Sequence, residues 1–105
     1  MEHYNVRIFP TAKQDLLDLI EYLNTLSSET AQKYYDLLIA EIASLSELPE
    51  RCPHPKDLAL KAKGYRYLLV KNYLVFYVVA RDTVQIRRIL YAKRNYRSIL
   101  DDTTS

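Results

Sequence analysis

From Tyr65 to Ala92 the chain offers three runs of strand-forming residues, Tyr65–Val70, Tyr73–Ala80 and Val84–Ala92. Only Lys71-Asn72 and Arg81-Asp82-Thr83 part them. A parallel neighbour needs a crossover of a dozen residues or more, so links this short require antiparallel pairing. Asn72 suits the positive φ that a tight hairpin asks for. Gly64, the only glycine, stands just ahead of the first run.

Upstream the period changes. Ala12, Leu16, Leu19, Ile20, Leu23 and Leu26 recur at helical spacing, and so do Ala31, Tyr35, Leu38, Ile42 and Leu45. Ser27-Ser28-Glu29 breaks the first helix and can cap the second. So short a link makes the helices antiparallel neighbours. Tyr4–Phe9 alternates as a strand, and Pro10 ends it. Thr11 and Gln14 have the spacing of a capping box. Leu48-Pro49 closes the second helix, and residues 49–63, with Pro49, Pro53 and Pro55, read as a loop. The order is β-α-α-β-β-β. The expected fold is α+β, an antiparallel sheet packed against an N-terminal helical hairpin. Residues 1–100 are expected to form one domain, with 101–105 a disordered tail. The form of Lys93–Leu100 is left open.

Charge is divided unevenly. Residues 1–50 hold three basic and nine acidic side chains, and residues 51–105 hold twelve and four, for a net +2 overall. Such a division predicts a basic working surface built by the second half. No apolar run reaches the roughly 20 residues of a membrane helix, and the first residues lack the pattern of a secretion signal. With a lone Cys52, a reducing cytoplasm is the expected setting. His3 and His54 are far apart and without companion ligands, so no metal site is expected.

Several segments, in order, carry a family likeness. They are Val6-Arg7-Ile8 with Ala12 and Asp15-Leu16; Leu45 with Leu48-Pro49-Glu50; Gly64-Tyr65-Arg66; Asn72-Tyr73 with Val75-Phe76-Tyr77; and Val84, Ile86 and Arg88 through Asn95. Across residues 4–97 the chain resembles the RelE/ParE superfamily, the toxins of bacterial type II toxin–antitoxin systems. The resemblance implies an antitoxin partner in a hetero-oligomer, no cofactor, and one of two targets. RelE-like members cleave mRNA on the ribosome, whereas ParE-like members bind DNA gyrase. The long helical hairpin and the proline-rich loop look ParE-like.

Metal-free RNA cleavage requires in-line geometry and cations that neutralise the developing charge. By resemblance, Arg66 and Arg94 lie where RelE-like RNases carry basic residues. Leu74 stands where that branch carries a catalytic arginine, and leucine cannot neutralise a phosphate. Arg87 or Arg88 is a candidate substitute, because adjacent strand residues face opposite ways and one should share the Arg66 side. Tyr91 and Tyr96 are the nearest aromatic proton-transfer groups, and a loop histidine such as His54 is another. An RNase would thus use Arg66, Arg88, Arg94 and Tyr91. A nucleic-acid surface would use Lys61, Lys63, Arg66, Arg87, Lys93 and Arg94.

Plainer roles suit other residues. Tyr65, Tyr67, Tyr73 and Tyr77 are expected to pack the sheet, and Cys52 to be inert. Asp15, Asp18 and Glu21 are expected on a solvated helix face. Gyrase inhibition is favoured over ribosome-dependent endonuclease activity. A detoxified regulator is a third reading, separable by growth arrest on induction.

Overall fold

The computed structural model describes residues 3–94, 96, 99 and 100. The element order is β1 (Asn5–Ile8), α1 (Pro10–Leu26), α2 (Ser28–Ala43), α3 (Leu58–Ala62), β2 (Tyr65–Val70), β3 (Tyr73–Ala80) and β4 (Thr83–Tyr91). Short 3-10 turns at Ser44–Ser46 and Pro49–Arg51 link α2 to the loop before α3. The expected tail, 101–105, lies outside the described residues.

The α+β architecture and its helical hairpin are as expected. Ser27 ends α1 and caps α2, its hydroxyl accepting the Thr30 amide at 3.2 Å. The start of α1 differs from expectation. A Thr11 cap would start the helix at Ala12, whereas it begins two residues earlier, at Pro10, whose missing N–H suits a first helical position. Phe9 becomes the N-cap and makes no side-chain cap bond. Gln14 turns to Asp18 at 2.8 Å, so no capping box forms. The apolar stripes bury Ala12, Leu16, Leu19 and Leu23 with Ala31, Leu38, Ile42 and Leu45. Leu26 and Tyr35, counted on those stripes, are exposed.

The sheet order is β1-β4-β3-β2. The three C-terminal strands pair antiparallel, as their short links require. β1 joins β4 in parallel, so the sheet is mixed where an antiparallel one was expected. No short link constrains β1, because the whole helical hairpin separates it from the meander. The first residue of each hairpin turn takes the positive φ: Lys71 at 55° and Arg81 at 59°. Asn72, expected to do so, does not.

Both faces of the sheet are covered. Val70, Val75, Tyr77, Val84, Ile86 and Ile89 meet the helical hairpin. Tyr65, Phe76 and Leu90 meet Leu60 of α3 and Leu100 on the other side, with Tyr96 and Ile99 packed alongside. Helix α3, formed within the stretch read as a loop, is capped by Asp57, whose carboxylate accepts the Leu60 amide at 3.1 Å. Gly64 at φ 87° turns the chain from α3 into β2.

A bulge in the β3–β4 ladder falls opposite Phe76 and Tyr77, where Arg88 and Ile86 are the partners and Arg87 is left over. Beyond it, β1 has ended and the outer edge of β4 is bare. Asp15 of α1 fills the gap. Its carboxylate accepts the Ile89 amide at 2.9 Å and binds Arg88 at Nε (2.7 Å) and Nη2 (2.9 Å). The two side chains are only 13% and 15% exposed. The solvated role expected of Asp15 is therefore corrected: it bolts the helix to the sheet. Alanine there would take the carboxylate away from a largely covered guanidinium and the acceptor away from the Ile89 amide. Asp15→Ala should cost about 2–4 kcal/mol, more than an exposed pair contributes. Urea unfolding of Asp15→Ala, Arg88→Ala and the double variant should show that the two single losses do not add.

Candidate functional site

Two of the sequence candidates act as internal ties. Arg66 on β2 donates to the carbonyls of Glu50 at 3.0 Å and Cys52 at 2.6 Å, and its side chain is largely covered. It fastens the proline-rich loop to the sheet edge. Nearby, Leu48 adopts a left-handed conformation, φ 48° and ψ 54°, before Pro49. Such a backbone costs an L-residue about 1–2 kcal/mol. It is held by Arg51, which donates to the Glu47 carbonyl at 2.6 Å, and by the Tyr77 hydroxyl, which donates to the Pro49 carbonyl at 2.5 Å. Arg88, bound to Asp15, belongs to the opposite side of β3 from Arg66. Neighbouring strands lie about 4.8 Å apart, so these two backbones are separated by about 10 Å. Neither Arg87 nor Arg88 joins Arg66.

Leu74 lies on the sheet face with Phe76 and packs into that core. His54 is occupied: its Nδ1 lies 2.7 Å from the Tyr65 carbonyl, which can only accept, so Nδ1 carries the proton. Cys52 is buried.

The remaining cations do not form one patch. Lys61 and Lys63 are exposed at the end of α3, beside the start of β2. Lys93 and Arg94 are exposed beyond the end of β4, at the opposite end of the sheet. A six-residue strand puts about 20 Å between those ends. Arg87, in the middle of β4, donates twice to Gln85, at 2.7 and 3.1 Å.

Lys93 and Arg94 do have neighbours of interest. The Ala92 amide donates to the Asn72 carbonyl at 2.8 Å, which holds the exit of β4 against the tip of the β2–β3 hairpin. Exposed Lys71 stands on that tip. Beside it opens a groove of about 520 Å³ lined by Tyr22, Leu23, Tyr34, Asn72, Tyr73 and Tyr91. Tyr73 holds the floor through edge contacts with Tyr34 at 6.1 Å and Tyr91 at 5.9 Å. Tyr22 and Tyr91 stay 60% and 40% exposed. Of these residues the sequence singled out Tyr91 as a candidate. Tyr22 was legible only as an aromatic on the border of the α1 stripe, and Tyr34 and Tyr73 meet only after the helices dock on the sheet. Among the described residues no cluster of histidine, cysteine or carboxylate groups could hold a metal ion.

What the groove can do is bind. It offers aromatic faces and edges with cations at the rim, features of surfaces that anchor protein partners. Among the described residues no carboxylate or imidazole lines it to move a proton.

A model of the family described as the ParE toxin of type II toxin–antitoxin system, parDE, matches residues 6–96. The chain belongs to the ParE toxin family. Among solved structures it is similar to a chain of the chromosomal ParDE toxin–antitoxin system from P. aeruginosa, with a TM-score of 0.74 and 18% identity. The match covers 87% of this chain and 98% of that one, and at this identity it speaks for the fold. No curated protein matches. This ParE-family chain is thus the toxin component of a type II toxin–antitoxin system, and that membership implies an antitoxin partner. No helix among the described residues is long and apolar enough to cross a membrane.

A buried tyrosine, Tyr77, and a half-buried one, Tyr73, give the toxin an alkaline limit. Burial pushes the Tyr77 phenol far above its usual value, and the neighbouring Cys52 thiol adds to this. Burial also raises Tyr73, with Tyr34, Tyr22 and Tyr91 contributing. Both phenols therefore keep their protons in the folded chain after the unfolded chain has lost them. Their contribution to stability is complete below the ordinary phenol value of 10.0 and falls as pH rises above it. Urea midpoints measured across that range should decline. Tyr77→Phe should flatten the decline while costing about 1 kcal/mol at neutral pH for the lost bond to Pro49.

Proposed function

We propose that this toxin arrests bacterial growth by binding DNA gyrase rather than by cutting mRNA. The observation that carries the reading is the engagement of Arg66 and Arg88. RNA cleavage without a metal needs several free cations around one phosphate. Here one guanidinium ties down the proline-rich loop, another grips Asp15, and Leu74 takes the place of a third. Freeing Arg88 for a phosphate would leave Asp15 as a largely covered, unpaired carboxylate.

The tyrosine groove supports a binding mode. Tyr22 and Tyr91 present large, stiff side chains at low entropic cost, and Lys71, Lys93 and Arg94 supply charge at the rim. In this reading Arg94 is a contact residue and not a catalytic one. Such a target also places the toxin in the cytoplasm.

Purified toxin should inhibit supercoiling by gyrase, and its induction should stop growth without creating codon-phased mRNA 5′ ends. Tyr91→Ala and the Lys93→Ala/Arg94→Ala pair should each weaken inhibition at least tenfold; the pair, whose side chains are exposed, should leave the melting temperature unchanged, whereas Tyr91→Ala should lower it slightly through the lost edge contact with Tyr73. New mRNA ends phased to codons, lost in Arg94→Ala, would replace gyrase with the ribosome as the target.

A further inference from the structure

Arg7 on β1 and Arg87 on β4 place their guanidinium carbons 5.2 and 4.9 Å from the centre of one ring, that of Phe9. The two charges are therefore at most about 10 Å apart. Cation–ring attraction positions each guanidinium but leaves its charge uncancelled. Among the described residues neither forms an ion pair, and neither β1 nor β4 contains an acidic residue. Gln85 accepts two hydrogen bonds from Arg87, and Arg7 is exposed.

The strand register decides which face carries them. Val6, Ile8, Val84 and Ile86 turn to the helical hairpin. Strand side chains alternate, so Arg7, Phe9 and Gln85 turn to the opposite, outer face. Arg87, the extra residue of the bulge, joins them there through its contacts with Phe9 and Gln85. Helix α3 packs on the same face through Leu60, and its neighbour Lys61 is an exposed cation. The β3–β4 turn at this end of the sheet carries one charge of each sign, Arg81 and Asp82. The tyrosine groove lies elsewhere. Its Tyr73 packs on the hairpin side, and the six-residue step along β4 from Gln85 to Tyr91 covers about 20 Å.

We propose that Arg7 and Arg87 form a binding site for the phosphodiester backbone of duplex DNA. Phosphates of one strand follow each other at about 3.4 Å along the duplex axis, so two cations this close meet phosphates of a single strand. The planar guanidinium fork suits phosphate oxygens. A duplex is favoured over a single strand because no ring here is free to stack on a base. Phe9 is taken by the two guanidiniums, and Tyr65 and Phe76 are buried. An acidic peptide is disfavoured on the same ground, since it needs an apolar anchor beside its charges. The Tyr4 amide at the adjoining strand edge is also already bonded to the Ser46 carbonyl at 2.8 Å. Phe9 and Gln85, the side chains that the pair touches, have no proton to exchange near neutral pH, so the site holds a phosphodiester without cleaving it. Contacts of this kind carry no sequence information. The site goes beyond the gyrase reading and does not depend on it, because it shares no residue with the groove.

The test measures the anisotropy of a short fluorescent DNA duplex titrated with the full toxin at several salt concentrations. The duplex should bind at low ionic strength, and its affinity should fall as salt rises. Arg7→Gln/Arg87→Gln should weaken binding at least tenfold. It should also reduce the slope of log affinity against log salt by about two, for two lost phosphate contacts. Arg7→Lys/Arg87→Lys keeps both charges and should keep the slope. Lys33→Gln/Lys56→Gln removes the same net charge from exposed sites elsewhere and should leave the slope unchanged. Four results would overturn the proposal: no duplex binding, an unchanged slope in Arg7→Gln/Arg87→Gln, an equal loss in Lys33→Gln/Lys56→Gln, or tighter binding of single-stranded oligothymidine than of the duplex. Binding of a polyglutamate peptide in place of the duplex, lost in Arg7→Gln/Arg87→Gln, would overturn it in favour of an acidic protein.

Discussion

The helical hairpin and the sheet are joined by apolar contact along most of their length, but their register depends on one carboxylate. Apolar packing is tolerant of small slides. The Asp15 grip is not, because it must satisfy two donors of Arg88 and the Ile89 amide at once. All three sit where the β4 ladder would otherwise be bare, just past the end of β1 and just past the bulge. The bulge is part of the device, since it leaves Arg87 unpaired and brings Arg88 opposite Phe76. A regular ladder would shift the residues beyond it by one position and turn their side chains to the other face. Short β1, bulged β4 and acidic α1 are one solution to the problem of an incomplete edge.

The same economy runs through the basic half of the chain. Arg51, Arg66 and Arg88 donate to carbonyls or a carboxylate, and Arg87 to an amide. Guanidinium suits this work because its planar fork meets several acceptors at once and its charge does not titrate away. Most of the lysines remain at the surface, together with Arg94. Excess positive charge in the sequence is therefore a poor guide to a phosphate-binding face. Part of it is mortar for a loop that has few backbone bonds of its own. That division weakens an RNase reading and leaves a binding reading intact.

The order of elements was legible because each signal was local: helical stripes, strand runs and links too short for crossovers. The parallel placement of β1 was not, since it depends on how the hairpin docks. Helix α3 was hidden by surrounding prolines, although Asp57 followed by Leu58 and Leu60 was a usable capping cue. Asp15 sits three residues after Ala12 and four before Leu19, on the border of the buried stripe, and that position could have flagged it as a covered acid. No comparable cue separates Arg66 and Arg88 from Lys93 and Arg94. Whether an arginine faces a carbonyl or the solvent is decided by tertiary contacts with the loop and with α1. The tyrosine groove is likewise assembled from α1, α2, β3 and β4, and no spacing within one segment announces it.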